Sequence, residues 1–126
     1  MIVREALVSD PRVVSADAGA REAAELLTHP HVESALVTDG ERLLGCVTLE
    51  SIVAALARGV DLLSATVREV CETDMTTVGP DLPLDEALHL MAESGLERLP
   101  VTEDGCLLGV LQREPVARRL AEEEPA

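Results

Sequence analysis

The chain is internally duplicated. Residues 1–62, moved along by 64 positions without a gap, meet an identical residue at 18 of 62 positions. The identities fall in ordered clusters: Val3-Arg4-Glu5 on Val67-Arg68-Glu69, Glu22-Ala23 on Glu86-Ala87, Val37-Thr38 on Val101-Thr102, and Leu43-Leu44-Gly45 on Leu107-Leu108-Gly109. A unit of this length is too long for one solenoid turn and too short to bury an ample core alone. The duplication therefore predicts one domain of two pseudo-symmetric halves, with clefts where the halves meet.

Composition limits what such a domain can bind. There is no Phe, Tyr or Trp, so the core is aliphatic and no ring is available to stack a nucleobase. A bound base would have to lie between aliphatic side chains and backbone. The formal net charge is −14, and both halves are acidic, which sets the chain against nucleic acid and anionic membrane surfaces. A small anion would need a local Arg or helix N-terminus. The three cysteines, Cys46, Cys71 and Cys106, have no metal-site or disulfide spacing and read as small buried hydrophobes. With no apolar leader or spanning stretch, the expectation is a soluble protein of a reducing cytoplasm.

Each half checks the other for local structure. Val13-Val14-Ser15 and Thr77-Val78-Gly79 read as short strands. Ala20, Ala23, Ala24, Leu27 and Leu84, Ala87, Leu88, Met91 follow the i, i+3, i+4, i+7 spacing of an amphipathic helix. Asp17 suits the N-cap region of the first helix and Pro83 the N1 position of the second. Two strands then meet at an Asp39-Gly40 turn in one half and an Asp104-Gly105 turn in the other, the signature of a hairpin. Closing helices follow over 49–58 and 113–122. Each half is thus β-α-β-β-α with a helical lead-in at 3–7 or 67–71. The boundaries are 1–58 for the first repeat, 59–66 for a connector, 67–122 for the second repeat and 123–126 for a frayed tail.

Two such repeats of about sixty residues, carrying Gly95-Leu96-Glu97-Arg98-Leu99-Pro100-Val101 and Gly45-Cys46-Val47-Thr48, resemble a tandem CBS-domain pair, the Bateman module. The resemblance spans essentially the whole chain. It implies an α/β fold of two β-α-β-β-α repeats with pseudo-twofold symmetry in one module. It also implies a regulatory role in which an adenosine-type ligand (AMP, ATP or S-adenosylmethionine) binds an inter-repeat cleft and a signal passes to a protein partner. The alternative is a ligand-independent dimerisation module with degenerate sites. No cofactor is required by either reading.

In nucleotide-binding relatives the strand-to-helix junction reads Gly-apolar-apolar-Thr/Ser-x-x-Asp, and the Asp takes the ribose hydroxyls. Here the first junction keeps Thr48 but has Ser51 at the Asp position; the second has Gln112 and Pro115. Thr48 and Ser51 can equally form a helix N-cap. The resemblance implies ligand contacts at Thr48, Ser51 and Gln112. It adds Val14, Thr77 and Val78 on the first strands, and Arg98, Leu99 and Pro100 at the start of a hairpin. If one site is filled, it should be the one with Thr48 and Ser51, and Thr48→Ala should abolish binding. His29 and His31 flank a turn proline without a third ligand nearby, which favours solvated histidines over a metal site. His89 reads as a surface helix residue. No nucleophile–base pair or phosphate loop is present, so catalysis is not expected.

The expected core holds Val14, Ala23, Leu26, Leu27, Leu36, Val37 and Val47 with their repeat partners, and Leu90→Ala should open a cavity. Ile52, Val53, Leu56, Val116 and Leu120 on the closing helices are expected to be covered by a second copy in a homodimer.

Overall fold

The structure, a computed structural model, describes residues 1–8 and 12–123. Of the expected tail at 123–126, Glu123 is instead the last residue of the closing helix, and 124–126 lie outside the described residues. The chain forms two compact units, one within Pro11–Met75 and the other built from Met1–Asp10 together with Thr76–Ala126.

In the unit built on the first repeat, strand β1 (Val13–Ser15) is followed by helix α1 (Ala20–Leu26), hairpin strands β2 (Ser34–Asp39) and β3 (Arg42–Thr48), and helix α2 (Leu49–Ala57). A short helix α3 (Val67–Val70) completes it. β1 pairs parallel with β2, setting Val14 beside Val37, and β2 pairs antiparallel with β3 from Ser34↔Thr48 to Asp39↔Arg42. The turn works because Gly40 takes the left-handed conformation, at φ 63°. Ala20, Ala23, Ala35, Val37, Val47, Ala55, Val67 and Val70 make the core. Two helix limits differ from expectation. The N-cap of α1 is Gly19, two residues beyond Asp17, whose carboxylate pairs with Arg68 instead. α1 also stops at Leu26, short of the His29-Pro30 signal.

The unit built on the second repeat has a 3-10 turn at Val3–Ala6, helix α4 (Leu84–Ser94), hairpin strands β4 (Arg98–Glu103) and β5 (Cys106–Gln112), and helix α5 (Arg113–Glu123). β4 and β5 pair from Arg98↔Gln112 to Glu103↔Cys106, with an irregularity at Val101/Thr102 that repeats the one at Val37/Thr38. The strand expected over 77–79 shrinks to a single parallel bridge, Val78↔Val101. Pro83 is the N-cap of α4, one position ahead of the expected N1, and Gly95 closes that helix in the left-handed conformation. Val3, Leu84, Ala87, Met91, Leu99, Val101, Leu111 and Val116 form the core.

The lead-ins explain the Val-Arg-Glu identity. The second repeat's lead-in belongs to the first repeat's unit, and the first lead-in to the second's. Val67 N donates to Ala18 O and Arg68 N to Ala16 O; 64 residues earlier, Val3 N donates to Leu82 O and Arg4 N to Pro80 O, all at 2.8–2.9 Å. The valines are buried. Arg68 pairs with Asp17 and Asp39, as Arg4 does with Asp81 and Glu103. The Glu69 and Glu5 carboxylates each accept at 2.7 Å from the backbone three residues earlier, at Thr66 and Ile2. These ion pairs are exposed and fix position more than they stabilise.

The expected core is largely in place, but Leu26, Leu90, Val14 and Val78 are only partly buried. The cavity expected at Leu90 moves to its neighbours Leu84 and Met91, which face inward on α4. The closing helices also differ from expectation. Ile52 and Val116 are 5% and 2% exposed and pack into their own units, while Leu49, Val53 and Leu56 of α2 are 57%, 63% and 49% exposed. Among the described residues no helix is long and apolar enough to cross a membrane.

Candidate functional site

The residues that turn β3 into α2 use their polar groups on one another. Thr48 sits in extended conformation as the N-cap, and its Oγ1 accepts from Ser51 N at 3.0 Å. Ser51 Oγ accepts from Thr48 N and donates to Thr48 O, both at 2.9 Å. The cap reading of Thr48 and Ser51 is therefore realised. Ser51 has its hydroxyl proton committed and keeps one lone pair free. Thr48→Ala should cost about 1 kcal/mol through loss of the cap alone, and Ser51→Ala a similar amount. Each substitution removes a different bond, so a double-mutant cycle read by urea denaturation should show an interaction energy of only about 0.5 kcal/mol, from the way each side chain steadies the backbone that serves the other.

Beyond the cap, α2 presents three faces. At 100° per residue, Ile52 and Ala55 turn inward, Leu49, Val53 and Leu56 turn to solvent, and Ser51, Ala54 and Arg58 share a third face. Against that third face lies the end of the lead-in. Cys46 and Glu72 exchange both backbone hydrogen bonds, at 2.9 and 2.7 Å, so residues 71–74 run beside β3. Gly45 permits this approach, because a Cβ there would fall on the Glu72 carbonyl. The result is a recess of about 410 Å³, bounded by Glu50, Ser51, Ala54 and Arg58 on the helix and by residues 70–74 on the lead-in side. That volume lies within the range of about 300–1,000 Å³ typical of small-molecule sites.

The charged residues lining the recess are three acids, Glu50, Glu72 and Asp74, and one base, Arg58, beside the hydroxyl residues Ser51 and Thr73. Arg58 Nη2 donates to the Glu69 carbonyl at 3.4 Å. Burial pushes the Cys71 thiol up. Burial, then the Glu72 carboxylate, does the same to Cys46. Both thiols are therefore less acidic than a free cysteine. Among the described residues no three His, Cys, Asp or Glu side chains gather as a metal site. His29 and His31 are exposed, and His89 pairs on the helix surface with Glu93.

The nine residues singled out in the sequence divide between the units. Val14, Thr48 and Ser51 lie in the unit of the first repeat, and of these Ser51 borders the recess. In the other unit, Arg98 and Gln112 are cross-strand partners, as are Leu99 and Leu111. Val78 N donates to Pro100 O at 3.2 Å, with exposed Thr77 just before it. Leu99 is wholly buried in the core and Pro100 is buried beside it. Sequence reasoning passed over Ala54, Arg58 and residues 71–74. The available signal was Gly45, present again as Gly109, since a glycine inside a strand often marks a close backbone approach.

Comparison with known proteins gives a consistent picture. The CBS-domain family model matches residues 3–58 and 67–114. An uncharacterized protein of Methanocaldococcus jannaschii, MJ1232, is 26% identical over 106 residues, covering 83% of this chain and 34% of its own length. The chain spans roughly a fifth to a third of the first curated relatives it matches. Among solved structures, CBSX2 in complex with AMP superposes with a TM-score of 0.73 at 25% identity, covering 96% of each chain. The CBS-domain pair of MJ0100, in complex with 5′-methylthioadenosine and S-adenosyl-L-methionine, gives a TM-score of 0.67 at 22% identity and covers 98% of each chain.

Proposed function

Because the chain belongs to the CBS-domain family and carries two copies of the domain, we propose that it is a regulatory module that binds an adenosyl compound in the recess beside α2. One observation carries this reading. The recess has the volume of a small-molecule site and is bordered by Ser51, the position at which nucleotide-binding relatives place their ribose carboxylate. Its apolar wall comes from Ala54 and Val70, which suits a base held without aromatic stacking. Residues 71–74 wall the recess and are also the stretch of chain that leads from one compact unit into the other. A ligand seated there orders that stretch, which gives binding a mechanical output to a protein partner. Pro115, at the matching position of the second repeat, has no polar side chain, so one ligand per chain is expected.

The test is thermal denaturation with adenosine compounds, followed by circular dichroism because the chain has no Trp or Tyr. A ligand at a hundred times its dissociation constant should add about 2.7 kcal/mol. Ala54→Trp should remove that gain by filling the recess, with the unliganded melting curve unchanged, since Ala54 is exposed on its helix. Unlike Thr48→Ala, this variant leaves the helix cap intact. No gain with any adenosine compound would favour the ligand-independent module.

The exposed stripe of Leu49, Val53 and Leu56 supports a homodimer as part of the same reading. The spacing i, i+4, i+7 makes a continuous apolar ridge that a second copy can cover isologously. Sedimentation should give a dimer at micromolar concentration and a monomer for Val53→Glu; a monomeric parent chain would remove the dimer.

A further inference from the structure

We infer that the recess selects among adenosyl compounds by charge, taking an uncharged or cationic one and turning away polyphosphates; this rests on the adenosyl reading above. Three acidic residues, Glu50, Glu72 and Asp74, line the space against one basic residue, Arg58. Two of the groups that would receive a phosphate are in part engaged. Ser51 N, in the first turn of α2, is bound by Thr48 Oγ1, and Arg58 Nη2 donates to the Glu69 carbonyl. Cys71 adds no positive charge. The net acidity of the chain acts in the same direction. A sulfonium or ammonium beside Glu72 and Asp74 replaces repulsion with attraction, while the base and ribose contacts stay the same. Charge alone then ranks ligands that share one adenosyl group.

Isothermal titration of the intact chain with S-adenosylmethionine, 5′-methylthioadenosine, AMP and ATP tests the ranking. At about 50 mM salt, S-adenosylmethionine should bind at least roughly tenfold tighter than ATP, with methylthioadenosine and then AMP between them. Raising salt to about 500 mM should draw the affinities together. The double variant Glu72→Gln, Asp74→Asn should cut the ratio of S-adenosylmethionine to ATP to below about threefold, with methylthioadenosine unchanged. ATP binding as tightly as S-adenosylmethionine, or a ratio indifferent to the double variant, overturns the charge selection alone. Failure of all four compounds, methylthioadenosine included, overturns the adenosyl reading and the selection with it.

Discussion

Gly45→Ala should destabilise the protein by about 3–5 kcal/mol. A methyl group at this position falls on the Glu72 carbonyl oxygen and lies 2.9 Å from its carbonyl carbon and 3.1 Å from Thr73 Cα. All three are main-chain atoms, so no side chain can swing aside. Forcing the lead-in away from β3 costs about 1–3 kcal/mol in strain. It also removes the two backbone hydrogen bonds between Cys46 and Glu72, each worth about 1 kcal/mol. Without the contact the substitution would stabilise by about 0.4–1 kcal/mol through the unfolded chain, so the sign itself is diagnostic. Gly109→Ala meets Val8 O at the milder distance of 2.8 Å and should cost less, about 1–3 kcal/mol. Urea denaturation followed by circular dichroism reads both variants. A Gly45→Ala protein as stable as the parent would show that the lead-in does not close against β3.

Leu84→Ala should cost about 3–5 kcal/mol, whereas Leu90→Ala on the same helix should cost only about 1 kcal/mol. Leu84 is wholly buried in the core that includes Val3, Met91 and Leu99. Removing its isobutyl group leaves a void whose walls come from three separate elements and cannot all collapse inward. Leu90 is partly buried, so solvent fills much of what truncation vacates. Leu84 opens α4 and Leu90 lies inside it, but alanine is no worse a helix former than leucine, so the difference reports mainly packing. Equal costs for the two variants would count against the placement of α4.

The hairpins, the helices and most of the aliphatic core were legible in the sequence because their signals are local. Asp39-Gly40 and Asp104-Gly105 specify their own turns, and the spacing of Leu84, Ala87 and Met91 specifies its own buried face. Duplication strengthened each reading by repeating it. The strand at 77–79 was read too long because two β-branched residues say nothing about how much partner strand lies beside them. Of the candidate site, the sequence supplied Thr48 and Ser51 but left open what their hydroxyls do. Whether a hydroxyl caps its own helix or meets a ligand depends on distances of a few tenths of an ångström, which composition does not carry.

The sequence by itself determined that this chain is a double β-α-β-β-α unit with an aliphatic core and an acidic surface, since periodicity, turns and charge are properties of short stretches. The tertiary structure alone decided which unit each lead-in joins. Val-Arg-Glu occurs in both lead-ins, and Asp17 with Asp39 offers Arg68 nearly what Asp81 with Glu103 offers Arg4. Duplication thus made two docking places of almost the same chemistry, and local pattern cannot rank them. The choice falls to chain reach and to the packing of Val67, Val70 and Val3 against their cores. That choice in turn brings residues 71–74 beside α2, and so makes the recess.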